Sequence, residues 1–261
     1  MRGLTIAIIA LVLSLSARAD QIAFVAIIID DVGNSLQNGE RAIAIDAPLT
    51  LSVLPYAVHA ETLAAQAARA GKEVMIHMPM ANVQDKPIGP GGLEPYMSHD
   101  RFVAAVHRAM ARIPEASGMN NHMGSDLTQR TTEMNWLMDE VKHANLFFID
   151  SRTTPLTVAS RVAEQKHVFS SSRDVFLDND QTFYDVDSSF RLLIRKAKRH
   201  GTAIAIGHPH PVTLAYLEMA LPTLASQGVQ LIPASNLIAL QQITKLQMAH
   251  SGEGANEAAT D

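Results

Sequence analysis

The sequence predicts an α/β protein, a deformed (β/α)7-8 barrel, and three observations carry that reading. Short apolar runs alternate with longer amphipathic stretches along almost the whole chain. Seven or eight such pairs occupy about 215 residues, the size of a small α/β barrel. Several of the apolar runs end in Asp, His or Asn, as strands do when their carboxyl ends line one site. A doubly wound open sheet is the competing arrangement, but no glycine-rich phosphate loop comes after the first strand.

In chain order, the first segment is a processing signal. Arg2 gives a thin positive region, Leu4 to Leu15 an apolar core, and Ala17-Arg18-Ala19 a small-x-small cleavage site. Residues 1–19 are therefore expected to be a signal peptide, and the mature protein periplasmic or secreted. The apolar run falls short of the roughly 20 residues of a membrane span, so no stable insertion is expected after cleavage. Losing Arg2 and Arg18 from 21 basic residues leaves 19 against 26 acidic ones, a net charge of −7. That charge, with no basic stretch, argues against nucleic acid as a partner. The chain has no cysteine, so neither disulfides nor thiolate chemistry is available to an exported protein of this sequence.

Residues 20–245 are expected to form a single domain, and 246–261, rich in Gly, Ala and Glu, read as a disordered tail. Strands are expected at Ala23–Asp30, Leu49–Leu54, Glu73–Met78, Ser117–His122, Leu146–Ile149, His167–Ser170, Thr202–Gly207 and Val229–Ile232. The first is apolar throughout, as a parallel strand buried on both faces must be. Helices are expected at His59–Ala70, Asp100–Arg112, Thr131–Ala144, Asp185–His200 and Val212–Ser226. Thr131 offers an N-cap, and Gly71, Gly201 and Gly228 offer C-terminal caps. Ala81–Met97, with three prolines and three glycines, reads as a long loop of the kind that forms functional lids.

The chemistry lies at the carboxyl end of each apolar run. The first ends in Asp30-Asp31, the third at His77, the fourth in Asn120-Asn121-His122, the fifth in Asp150-Ser151-Arg152, and the seventh in His208-Pro209-His210. Adjacent carboxylates repel, and burying either costs several kcal/mol or so without a compensating cation. Asp with His selects a borderline divalent metal, with zinc the first choice, whereas magnesium or calcium would call for more carboxylates. Asp31, His77 and His122 are the candidate ligands, three donors that leave a position open for water. Asp30 would then act as general base beside them. His208 or His210 can protonate a leaving group, with Asp150 orienting that imidazole through its far nitrogen. Arg152 tethers Asp30 or Asp150, or with His210 and Asn121 contacts substrate. The Asp178-Asn179-Asp180 cluster reads as a helix start, because it lacks the glycine and terminal Glu of a calcium loop.

With these residues in place, the chain resembles the polysaccharide deacetylase superfamily, specifically its divergent branch. The resemblance spans roughly Ile22 to Leu240. It rests on Ile-Ile-Ile-Asp-Asp-Val-Gly at 27–33, Gly-Lys-Glu-Val-Met-Ile-His-Met-Pro-Met at 71–80, Asn-Asn-His-Met-Gly-Ser at 120–125, Phe-Ile-Asp-Ser-Arg-Thr at 148–153 and Gly-His-Pro-His-Pro at 207–211. The resemblance implies a base Asp followed by a metal-binding Asp at 30 and 31, a metal-binding His77, and an acid at His208. It departs from the usual pattern at Ala81, where a second imidazole would stand four residues after His77, and in lacking an Arg-Pro-rich third motif. The activity it implies is deacetylation of an N-acetylated cell-envelope polysaccharide or peptidoglycan-derived glycan. The alternatives are a non-catalytic glycan- or partner-binding protein that keeps the fold and metal site, or another metal hydrolase such as a phosphoesterase.

Overall fold

The computed structural model describes residues 22–257, side chains through 248. The expected signal peptide lies outside the described residues, as do the last four residues of the expected tail. The order of elements is β1 (Ala23–Val32), α1 (Leu36–Ala44), β2 (Thr50–Val53), α2 (Ala60–Arg69), β3 (Glu73–Met80), α3 (His99–Arg112), β4 (Gly118–Met123), α4 (Thr131–His143) and β5 (Phe147–Asp150). Then come α5 (Ala159–Gln165), β6 (Ser170–Ser172), β7 (Val175–Phe176), α6 (Phe183–His200), β8 (Thr202–Gly207), α7 (Pro211–Ala220), β9 (Val229–Leu231) and α8 (Ala234–Glu257).

The strands pair in the order β6-β5-β4-β3-β2-β1-β8-β7, with β9 added to the start of β1, and every pairing is parallel. Parallel neighbours need a crossover between them, which is why a helix comes after nearly every strand. The sheet curls into a half-barrel. Its two end strands are joined by a two-residue crossing: Arg173 N donates to Asp150 O on one side, and Asp174 N to Ile204 O on the other.

Strand alternation divides the apolar residues into two cores. Val25, Ile27 and Ile29 of β1, with Leu51, Val53, Met119 and Phe148, face the outer helices. Ala26, Ile28, Met75, Phe147, Ile149, Ile204 and Ile206 face the inside of the curl. Ala234, Leu237 and Ile238 of α8 pack into that inner core from the amino end of the strands. The first amides of α8 are satisfied there, since Ala234 N donates to Thr50 Oγ1 and Ser235 N to the Glu73 carboxylate. The inside of the curl is therefore apolar and closed at one end, and polar at the other.

Several expectations are corrected. The strand expected at His167–Ser170 starts later, as β6, and pairs Phe148 with Ser170. α1, α5, β7 and α8 lie outside the expected elements. α1 carries Gly39 mid-helix, where an added Cβ would lie 2.4 Å from Leu63 Cδ1, so close packing on α2 demands a poor helix former. The helix expected to run to Ser226 stops at Ala220 and continues as two 3-10 turns, because Pro222 has no N–H to extend the ladder. Arg130, not Thr131, is the N-cap of α4, with no side-chain cap bond. Gly201 does end α6, at φ +84°. α8 carries helical backbone into the stretch read as a tail. The long loop after β3 is braced at both ends. Leu93 N donates to Pro79 O, Ala81 N to Leu93 O and Val83 N to Ser125 Oγ, while Asn82 Oδ1 accepts from Gln84 N and Lys86 N.

Candidate metal centre

Asp30 continues the alternation of Ala26 and Ile28, so its side chain points into the curl. Asp31 should then point outward. It does not, because the pairing of β1 with β2 slips between Ile29 and Val32 and Asp31 takes φ +55°. Such a bulge re-aims a side chain, and the left-handed backbone is one that Asp tolerates at modest cost. Both carboxylates consequently face His77, whose Nε2 is 3.5 Å from Asp30 Oδ2 and 3.2 Å from Asp31 Oδ1.

His77 on β3 and His122 on β4 complete a cluster. His122 Nδ1 is 2.9 Å from Asp31 Oδ1 and 3.2 Å from His77 Nε2. Asp31 Oδ1 is buried, yet it receives no directed hydrogen bond from either ring. Three donor atoms at mutual distances of 2.9–3.2 Å are close enough together to hold a small cation. Tetrahedral ligands at zinc–donor lengths near 2.0–2.1 Å lie about 3.4 Å apart. The donor set of one carboxylate and two imidazoles suits zinc chemistry, so the expected ligands fit the expected metal. Burial would push the Asp31 carboxyl up, but the two imidazoles draw it well below the ordinary carboxylate range.

Asn120, absent from the expected site residues, organises the centre from behind. Its Oδ1 lies 2.7 Å from His77 Nδ1 and also accepts from Ser52 Oγ, while its Nδ2 donates to Asp30 Oδ1 at 2.8 Å. An amide oxygen can only accept, so His77 donates from Nδ1 to Asn120, which leaves Nε2 as the nitrogen that can bind a cation. The Asp30 carboxyl is pushed up by complete burial, an effect that His77, His208 and Asn120 only partly offset.

His208 continues the alternation of Ile204 and Ile206 on the inner face of β8. The carboxylate that orients it is Asp178, not Asp150. Asp178 Oδ1 is 2.9 Å from His208 Nδ1, and Oδ2 accepts from His208 N at 2.6 Å and from Thr213 Oγ1 at 2.8 Å. Burial lowers the affinity of His208 for its proton, but Asp178 more than reverses this and pushes the imidazole up to about 9. Gly207 permits the approach, since an added Cβ there would sit 3.2–3.4 Å from Leu177, Thr213 and Asp178 together.

The other expected residues do different work. Asp150 shares the outward face with Phe148 and is saturated by Arg152 N, Thr157 Oγ1 and Ser160 Oγ, so it braces the turn into α5. Asn121 also points outward, away from the cluster, and is buried there: it donates to Met123 O and accepts from Ser151 N. The Arg152 guanidinium makes no ion pair among the described residues and tethers neither Asp30 nor Asp150. Arg173 donates to Ser151 O and Arg152 O and lies 3.7 Å over the Phe176 ring. Burial and the neighbouring Arg152 lower its guanidinium to about 10. Phe176 in turn stacks on His208, with ring centroids 6.3 Å apart. His210 caps α7 without a side-chain cap bond, its ring 5.6 Å from that of His208.

Comparison with known proteins bears on the family and the fold. The sequence profile described as divergent polysaccharide deacetylase matches residues 27–238. An uncharacterized protein of Haemophilus influenzae is 39% identical over 212 residues, covering 81% of this chain and 75% of its own. The protein YibQ of Escherichia coli K12 is 37% identical over 218 residues, covering 84% and 68%. Among solved structures, the uncharacterized protein ATU2773 of Agrobacterium tumefaciens superposes with a TM-score of 0.79 at 22% identity, over 83% of this chain and 89% of that one.

Proposed function

The chain belongs to the divergent polysaccharide deacetylase family, and we propose that it is an exported, metal-dependent hydrolase that removes acetyl groups from an N-acetylated polysaccharide of the cell envelope. The observation that carries this reading is the convergence of Asp31, His77 and His122 beside an unligated, buried Asp30. A divalent cation, zinc in first place, would polarise the amide carbonyl and acidify an attacking water. Asp30, with its raised proton affinity, takes the proton that water gives up as it bonds to the carbonyl carbon. Asn120 keeps Asp30 and His77 in register during that transfer. As the C–N bond breaks, the His208 imidazolium gives its proton to the departing amine, and acetate and the free amine leave. Asp178 holds His208 charged at neutral pH so that this proton is available. The residue 1–19 signal supports action in the periplasm or outside the cell, where such glycans lie.

The test uses tag-free mature protein. Elemental analysis should find one equivalent of metal, and acetate should be released from N-acetylated chito-oligosaccharide or peptidoglycan. Asp31→Ala should lose the metal, and Asp30→Asn should keep it while turnover falls by roughly 10²–10⁴. A wild-type protein without stoichiometric metal sinks the hydrolase reading. Metal without turnover on any N-acetylated glycan points to the binding-protein alternative.

A further inference from the structure

We propose that Asp178, His208 and His210 form a second, weaker divalent-cation site whose occupancy switches off the acid imidazole. The donor atoms of these three residues lie within 4.8 Å of one another, and the set repeats that of the first cluster, one carboxylate and two imidazoles. The carboxylate is buried and preset: Oδ2 is held by His208 N and Thr213 Oγ1, so Oδ1 is the oxygen left to turn toward a cation. His210, the N-cap of α7, brings beside His208 an imidazole that has no hydrogen-bond partner among the described residues. A cation here must first break the 2.9 Å contact that already joins His208 Nδ1 to Asp178 Oδ1 and displace its proton. The first site therefore fills before the second.

Binding at the second site places the cation on His208 Nδ1, where it displaces the hydrogen shared with Asp178, and that proton leaves to solvent. Nε2 keeps its hydrogen, but giving it up would leave an imidazolate, so the ring no longer serves as an acid. Excess zinc then becomes an inhibitor of the enzyme that one equivalent of zinc activates. The inhibitory consequence rests on the hydrolase reading. The site itself does not.

Two measurements on tag-free mature protein separate the two. Calorimetric titration with zinc, paralleled by cobalt absorption spectra, should show two equivalents in wild type, one tight and one at least 10-fold weaker. Asp31→Ala should retain only the weaker equivalent. His210→Gln, and Asp178→Asn should the first variant fold poorly, should retain only the tight one. Acetate release by wild type should fall as the second equivalent binds, whereas His210→Gln should turn over equally at one equivalent and in zinc excess. Saturation of wild type at a single equivalent overturns the proposal, as does a weak equivalent that persists in both His210→Gln and Asp178→Asn. Absence of turnover in every sample would remove the hydrolase reading while the stoichiometry still decides the second site.

Discussion

Asn120 touches three groups at once, and its loss separates positioning from ligation. Asn120→Ala leaves every proposed ligand in place but frees His77 to take the other tautomer. Metal affinity should fall about 10–100-fold in chelator competition, the usual effect of removing a group that orients a ligand. Unchanged affinity would show that His77 is held by packing alone. Asp178 acts on proton affinity instead. With the His208 imidazole pushed up to about 9, the acid form persists through neutral pH, and kcat/KM should decline only as pH approaches that value. In Asp178→Asn the imidazole returns to its ordinary value near 6.5 or, being buried, below it, so the declining limb should move down by two units or more. A limb that stays put would remove His208 from the acid role. The same pair affects stability. A raised imidazole value contributes fully below about 6.5, and the contribution is lost as pH rises through about 9.

At the scale of elements, strand parity decides which polar residues meet, and parity is legible in the sequence. With His122 facing the site, Asn120 two residues earlier must share its face and Asn121 must not, and the hydrogen bonds obey that rule. Asp150 likewise stands on the outward parity of Phe148, which disqualifies it as the partner of His208. Asp31 breaks parity, and only the bulge turns it toward the cluster; the adjacent Asp pair hints at this, because neighbouring carboxylates repel unless a cation lies between them. Asp178 is illegible for a different reason. It lies just past a strand of two residues, too short for any periodic signal, and its partner is 30 residues away. α1 is hidden by Gly39, whose cost as a helix former is offset by contact with Leu63. Parity also yields a prediction. Asp150→Ala should lower stability by about 1–3 kcal/mol in urea unfolding, since it strands three part-buried donors, and should leave metal affinity unchanged. A loss of metal there would mean that the turn into α5 supports the centre directly.

At the scale of the whole molecule, the two ends of the curl are closed by different means. α8 closes the amino end with apolar packing, and Leu237, fully buried there, should cost about 2–5 kcal/mol when cut to Ala. At the carboxyl end, the candidate ligands come from β1, β3 and β4, with β2 between β1 and β3 supplying Ser52 as a brace. A cation there would join positions 31, 77 and 122, which are far apart in sequence and near only in the folded sheet. It would bind the native chain and not the unfolded one, so it should stabilise by RT ln(1 + [metal]/Kd), about 4 kcal/mol at a thousandfold excess over Kd. For a domain of this size that corresponds to a rise in melting temperature of roughly 8–16 °C. Zinc should produce the rise in wild type and a chelator should reverse it, while Asp31→Ala should show only the smaller rise, at higher zinc, that the weaker second site allows. Zinc bound by a disordered chain would instead leave wild-type melting unchanged or lowered, and that result would detach the cation from the folded cluster altogether.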